Sequence, residues 1–150
     1  MTLYELRFGK IIAISAHIAE VIIDDEIEMD ESMVDEYHQF LKSTFSAPIL
    51  LLVNKMNRYT YTLAAQKKLA GIPEICAMSV VVYNRISELS TNALISIPRS
   101  IEWNIRVFHN RRQALEWLEQ SQFLLANQSP GNSINGEGVA TVYAASSRAG

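Results

Sequence analysis

The chain has 150 residues, 13 Lys and Arg against 16 Asp and Glu, and 49% hydrophobic residues, a balance that suits one globular domain and excludes a disordered or fibrous chain. At this length roughly 70% of the unfolded surface can be buried, so a core forms without disulfides, and the single cysteine, Cys76, fits that. A net charge of −3 gives no global attraction to nucleic acid or anionic lipid. The longest apolar runs, 49–53 and 75–83, fall far short of the ~20 residues that span a bilayer, and Glu5, Ser15 and His17 spoil any leader-like start. A cytoplasmic location is the expectation.

Charge is uneven along the chain: residues 1–36 carry a net −8 and residues 37–120 a net +5. Packing within one molecule explains such complementary blocks most simply, and pairing across a homodimer is the alternative. Residues 3–8 and 11–17 flank Gly9-Lys10, which predicts an opening antiparallel hairpin with its turn at those two residues. Val21, Ile22 and Ile23 before Asp24-Asp25 predict a short strand and then a loop. Asp30 reads as the cap of a first helix with Val34, Tyr37 and Leu41 inward and Met29 and Val34 as a hydrophobic staple. Pro48 closes that helix and opens a run typical of a strand covered on both faces. Thr60 or Thr62 caps a second helix, with Leu63 and Leu69 inward and Gly71 as its stop.

Residues 75–83 repeat the buried-strand pattern. Asn84 then caps a third helix with Ile86, Leu89 and Ala93/Leu94 expected on its inner face. A last strand, 105–108, leads into Asn110 and a helix from Arg111 to Gln120, with Ala114, Leu115 and Leu118 inward and 122–126 as an extension. Strands alternating with helices predict an α/β fold with a mixed, largely parallel sheet of four to five strands and about four helices. Residues 121–150, rich in glycine and small polar residues, read as a flexible tail.

Only Gly9 and Gly71 precede residue 130, so no glycine-rich phosphate loop and no G-x-S-x-G elbow exists there. His17, His38 and His109 show no metal-ligand spacing, and no cofactor is expected. Cys76 in a central strand reads as a small buried hydrophobe. The acidic run from Asp24 to Glu31 lacks the glycine an EF-hand turn demands and reads as a solvated edge. In a parallel sheet, ligands gather beyond the carboxyl ends of the strands. The candidate residues there are Asn54, Lys55, Asn57, Arg58, Tyr59 and Thr60 after one strand, Asn84 and Arg85 after the next, and His109, Asn110, Arg111 and Arg112 after the last. Arginine opens two of these helices, where the helix dipole favours acids, which points toward an anion or an acidic partner.

The strand 49–54 followed by Tyr59-Thr60-Tyr61-Thr62, the strand 75–83, and above all Arg106-Val107-Phe108-His109-Asn110 leading to Ala114-Leu115-Glu116-Trp117-Leu118 resemble small bacterial STAS/SpoIIAA-like proteins over residues 1–120. The resemblance implies a four- or five-stranded sheet with packed helices, in a family that includes anti-sigma-factor antagonists and domains of anion transporters. The antagonists carry an Asp-Ser-x-Gly-type turn whose hydroxyl is phosphorylated. This chain reads Asn54-Lys55-Met56-Asn57-Arg58-Tyr59-Thr60 there, without the aspartate or glycine, so that mechanism is not carried over to Thr60 or Thr62. The expected function is a non-enzymatic binding or regulatory module for a protein partner or a small anionic ligand. The alternatives are a carrier of lipid or another apolar ligand in a cavity beneath the helices, and an enzyme using His109 with Arg111.

Overall fold

The computed structural model describes residues 1–127. Strands β1 (Thr2–Leu6), β2 (Gly9–Ala13) and β3 (Ile18–Ile23) form an antiparallel meander. After β4 (Glu28–Met29), α1 (Glu31–Thr44), β5 (Ile49–Asn54), β6 (Thr60–Tyr61) and α2 (Leu63–Lys68) come β7 (Ile75–Val81), α3 (Arg85–Ile95), β8 (Ile105–Phe108) and α4 (Arg111–Ala126). The main sheet has the order β1-β2-β3-β5-β7-β8, with β3, β5, β7 and β8 parallel, so it has six strands where four or five are expected. β4 and β6 form a separate parallel pair.

The apolar run of β5 explains its central place. Ile49 and Leu51 face a core that includes Val34 and Leu41 of α1, Ala65 of α2 and the partly buried Leu94 of α3, while Leu50 and Leu52 face Ala114, Trp117 and Leu118 of α4. Alternate residues of one strand thus serve two cores, which is why the run is continuous rather than alternating. Each long helix starts on a cap readable from sequence: Asp30, Asn84 and Asn110 accept from the backbone N–H three residues on. For α2 the cap is Thr62, whose hydroxyl accepts from Ala65 N–H.

Four local expectations are corrected. The hairpin turn is Arg7-Phe8, because Leu6 pairs with Gly9; Gly9 lies in β2, where an added Cβ would crowd the Ile22 carbonyl and approach Ile23 Cα to 2.8 Å. α2 ends at Lys68, and Ala70, not Gly71, takes the left-handed conformation (φ 54°). Its N–H donates to Nε2 of the buried His38 at 3.0 Å; burial pushes that imidazole down to about 4, so it stays neutral and able to accept. Leu63 is exposed, leaving Leu69 as the inward residue there. The inner face of α3 is also different: Ile86 and Leu89 are 78% and 52% exposed, and Thr91 is the buried residue. Of the expected face, Leu94 packs inward against the core and Ala93 is exposed.

α4 passes through residue 120 to Ala126, with the Ser121 hydroxyl donating to the Trp117 carbonyl. Residues 128–150, expected as a tail, lie outside the described residues. Among the described residues no helix is long and apolar enough to cross a membrane. The two charge blocks meet within the molecule, through Lys68 with Asp35 at 2.7 Å and Arg111 with Glu20 at 2.6 Å.

Candidate functional site

The twelve candidate residues all lie at the carboxyl edge formed by β5, β7 and β8, because parallel strands deliver their following loops to one side. They do not form one set. Asn54, the last residue of β5, is buried and donates from Nδ2 to Glu20 Oε2 at 3.0 Å. Arg111 opens α4 and clasps the same carboxylate in a fork, Nη2 to Oε1 at 2.6 Å and Nε to Oε2 at 3.0 Å. Burial works to raise the Glu20 carboxyl, but the hydrogen bonds from Arg111 and Asn54 and the charge of Arg111 prevail and hold it below the ordinary value. The Glu20 side chain is only 3% exposed, so this cluster is an internal strut from β3 to α4 and leaves Arg111 little to offer a ligand.

Asn57 and Arg58 tie the β5–β6 loop to the loop after β3. Asn57 Nδ2 donates to the Ile23 carbonyl, Arg58 N–H donates to Asp25 Oδ1, and the Arg58 carbonyl accepts from Glu26 N–H. The Arg58 side chain extends from this anchored backbone and is exposed. Tyr59 is turned inward beside Tyr61, with ring centroids 5.5 Å apart, and Thr60 is exposed in β6. Lys55 also turns inward: its Nζ sits 5.5 Å from the Tyr59 ring centroid, and burial pushes the amine down to about 8. Asn84 and Asn110 are spent as helix caps.

The remaining basic side chains are held loosely. Glu88 of α3 receives Arg85 at 3.6 Å and His109 at 3.2 Å, and Arg112 reaches Glu116 at 3.7 Å. Exposed pairs of this kind are worth at most ~1 kcal/mol, so these side chains can exchange partners. His109 and Arg111 address different carboxylates, Glu88 and Glu20, which does not assemble the acid–base pair an enzyme using both would need. Among the described residues, no group of three or more His, Cys, Asp and Glu side chains converges as a metal would require. Burial raises the Cys76 thiol, which opposes a nucleophilic role.

The same edge also exposes apolar residues, of which periodicity assigns Ile86 and Leu89 to the interior. Asn54 pairs with Val81 in the β5–β7 ladder, so Met56 and Tyr83 each stand two residues beyond the same rung. Both are exposed, as are Ile86 and Leu89 on α3. Sequence reading also misses Glu20 and Glu88. A carboxylate inside the apolar stretch Ala19-Glu20-Val21 is the one clue to the first, since such a residue is rarely buried without a partner.

No family model, curated protein or solved structure matches the chain.

Proposed function

We propose that the protein is a non-enzymatic docking module of the STAS/SpoIIAA-like kind, which engages a protein partner at the carboxyl edge of its sheet. The observation that carries this reading is the outward apolar stripe of α3. Tyr83, Ile86 and Leu89 with Met56 place large side chains in water at the sheet edge that also carries Arg58, Arg85, His109 and Arg112. An interface core of aromatic and aliphatic residues with a charged rim has this composition. The matching partner presents apolar side chains within an acidic surface, and the rim cations, weakly held by Glu88 and Glu116, steer its approach. A carrier of lipid tails receives less support, because the cavity beneath α3 measures about 30 Å³, against the ~300 Å³ or more of drug-sized ligand pockets.

A photo-crosslinking amino acid placed at Ile86 in the native host tests the reading, with Glu119 on the opposite α4 face as the control position. The expected result is a heterologous protein adduct from position 86, weakened by salt, and none from position 119. Equal labelling from both positions would sink the proposal. An adduct of two copies of this chain would replace the foreign partner with a homodimer.

A further inference from the structure

A separate feature lies beneath α3, and it does not depend on the docking reading. The cavity there has a volume of about 30 Å³ and is lined by β5, β7 and β8 below and by α3 above, with Tyr61 and Leu69 at its side. Four polar residues line it, Lys55, Tyr61, Thr91 and Trp103, and the rest of its wall is aliphatic or Met. Thr91 is 1% exposed, and its hydroxyl has no hydrogen-bond partner among the described residues. The Trp103 indole N–H is likewise buried and unpartnered among them. Lys55, partly buried, makes no ion pair among the described residues, and its Nζ lies 5.5 Å from the Tyr59 ring centroid. Tyr61 donates to the Tyr59 hydroxyl at 3.5 Å. Arg99 stacks 3.5 Å from the Trp103 ring centroid and donates to the Gln66 and Leu94 carbonyls, which fixes the wall between α2 and α3.

Lys55, Thr91 and Trp103 have donors left to give, Tyr61 having turned its proton to Tyr59, and none of the four is a carboxylate or an amide oxygen. Burying an ammonium without a counter-charge is costly, and so is burying an N–H and an O–H with no acceptor. One acceptor with negative charge relieves all of these at once. The volume is about two to three times what a single water needs, which admits a carboxylate with at most a short apolar body and no long chain.

The geometry points to the cavity under α3 as a binding site for a small monocarboxylate, with Lys55 as its counter-charge and the Thr91 hydroxyl and Trp103 indole as its hydrogen-bond donors. The surrounding methyl and methylene groups suit a body of one or two carbons. Among the groups near Lys55, Tyr59 and Tyr61 are held neutral by burial, Tyr61 being pushed up to about 12. Lys55 is therefore the group that titrates between pH 7 and 10 in this wall, and binding requires its protonated form.

The full chain titrated with acetate and with propionate, followed by calorimetry and by the side-chain NMR signal of Lys55, tests the site. Saturable binding with a Kd on the order of 1 mM is expected, the range open to a ligand of about four heavy atoms. Affinity should be flat between about pH 6 and 8, where the ligand stays ionised, and fall about tenfold for each pH unit above 8. Lys55→Met should abolish binding while the protein melts no lower, and Thr91→Val should weaken it several-fold. The neutral isostere acetamide should not compete. Absence of saturation, equal binding of acetamide, or unchanged affinity in Lys55→Met would each overturn the site and leave the cavity to water.

Discussion

Asn54 and Lys55 are consecutive, yet they serve opposite faces of the sheet in opposite electrostatic conditions. On the α4 face Asn54 joins Glu20 and Arg111, where the buried charges are opposed and bridged by hydrogen bonds. On the α3 face Lys55 enters an apolar cavity with no opposing charge among the described residues. The first arrangement is complete without any other molecule, so it holds structure. The second is incomplete, and incompleteness of a buried polar group marks a place where stability is spent on something other than the fold.

Breaking the closed side should have the largest effect. Arg111→Ala leaves the Glu20 carboxylate buried without its cation, which costs about 3–5 kcal/mol in comparable pairs, and chemical denaturation should show a midpoint lowered accordingly. The double substitution Glu20→Gln with Arg111→Met removes both charges and should recover most of that loss. If the double variant is as unstable as Arg111→Ala, the strut acts through packing rather than charge.

Closing the open side should do the reverse. Lys55 has its amine lowered from 10.5 to about 8, so the unfolded chain binds more protons between those values and stability should rise with pH across that window. The full rise is on the order of 3 kcal/mol, and below pH 8 the whole penalty is present. Lys55→Met should therefore be more stable than the native chain at pH 7, by up to this amount, and its stability curve should lose the rise above pH 8. A native curve that is flat from pH 8 to 10 would mean that Lys55 is solvated rather than buried.

Thr91→Val sharpens the same point on a smaller scale. The buried hydroxyl has no partner among the described residues, and replacing it with a methyl group of similar shape removes an unmet hydrogen-bonding requirement. A gain of about 1 kcal/mol in denaturant unfolding is expected. A loss instead would show that the hydroxyl is satisfied in solution by a held water.

These features differ in how far they are legible in the sequence. The helix caps Asp30, Thr62, Asn84 and Asn110 are readable because a cap is a contact of a residue with the backbone three positions on. The buried strand β5 and the place of all twelve candidate residues at one edge follow from an unbroken apolar run and the parallel alternation. The Glu20–Arg111 strut is not readable in this way, because its members lie 91 residues apart and the pairing depends on which helix covers which face. The orientation of α3 fails for a related reason. Periodicity selects a face from Ile86, Leu89 and Ala93/Leu94, whereas the packing of Thr91, Leu94 and Ile95 over the sheet turns the helix so that, of that face, Leu94 stays inward and Ile86 and Leu89 face out. Lys55 is among the twelve candidates, but its inward turn is not readable, because a lysine in a loop after a strand is ordinarily solvated.

The smallest expected effect lies on the rim between the two faces. Arg85 is 77% exposed and 3.6 Å from Glu88, which also holds His109. Arg85→Ala removes a solvated pair while Glu88 keeps a second donor, so unfolding stability should change by no more than about 0.5 kcal/mol. Its effect should appear in association instead, because a rim cation acts on the rate of encounter with an acidic surface and that action is screened by salt. Crosslinking from position 86 should accordingly form more slowly in Arg85→Ala at low ionic strength and at the native rate at high ionic strength. A large loss of stability would place Arg85 with Arg111 among the struts of the fold. An unchanged crosslinking rate at low salt would leave the apolar stripe of α3 to recruit its partner without help from this charge.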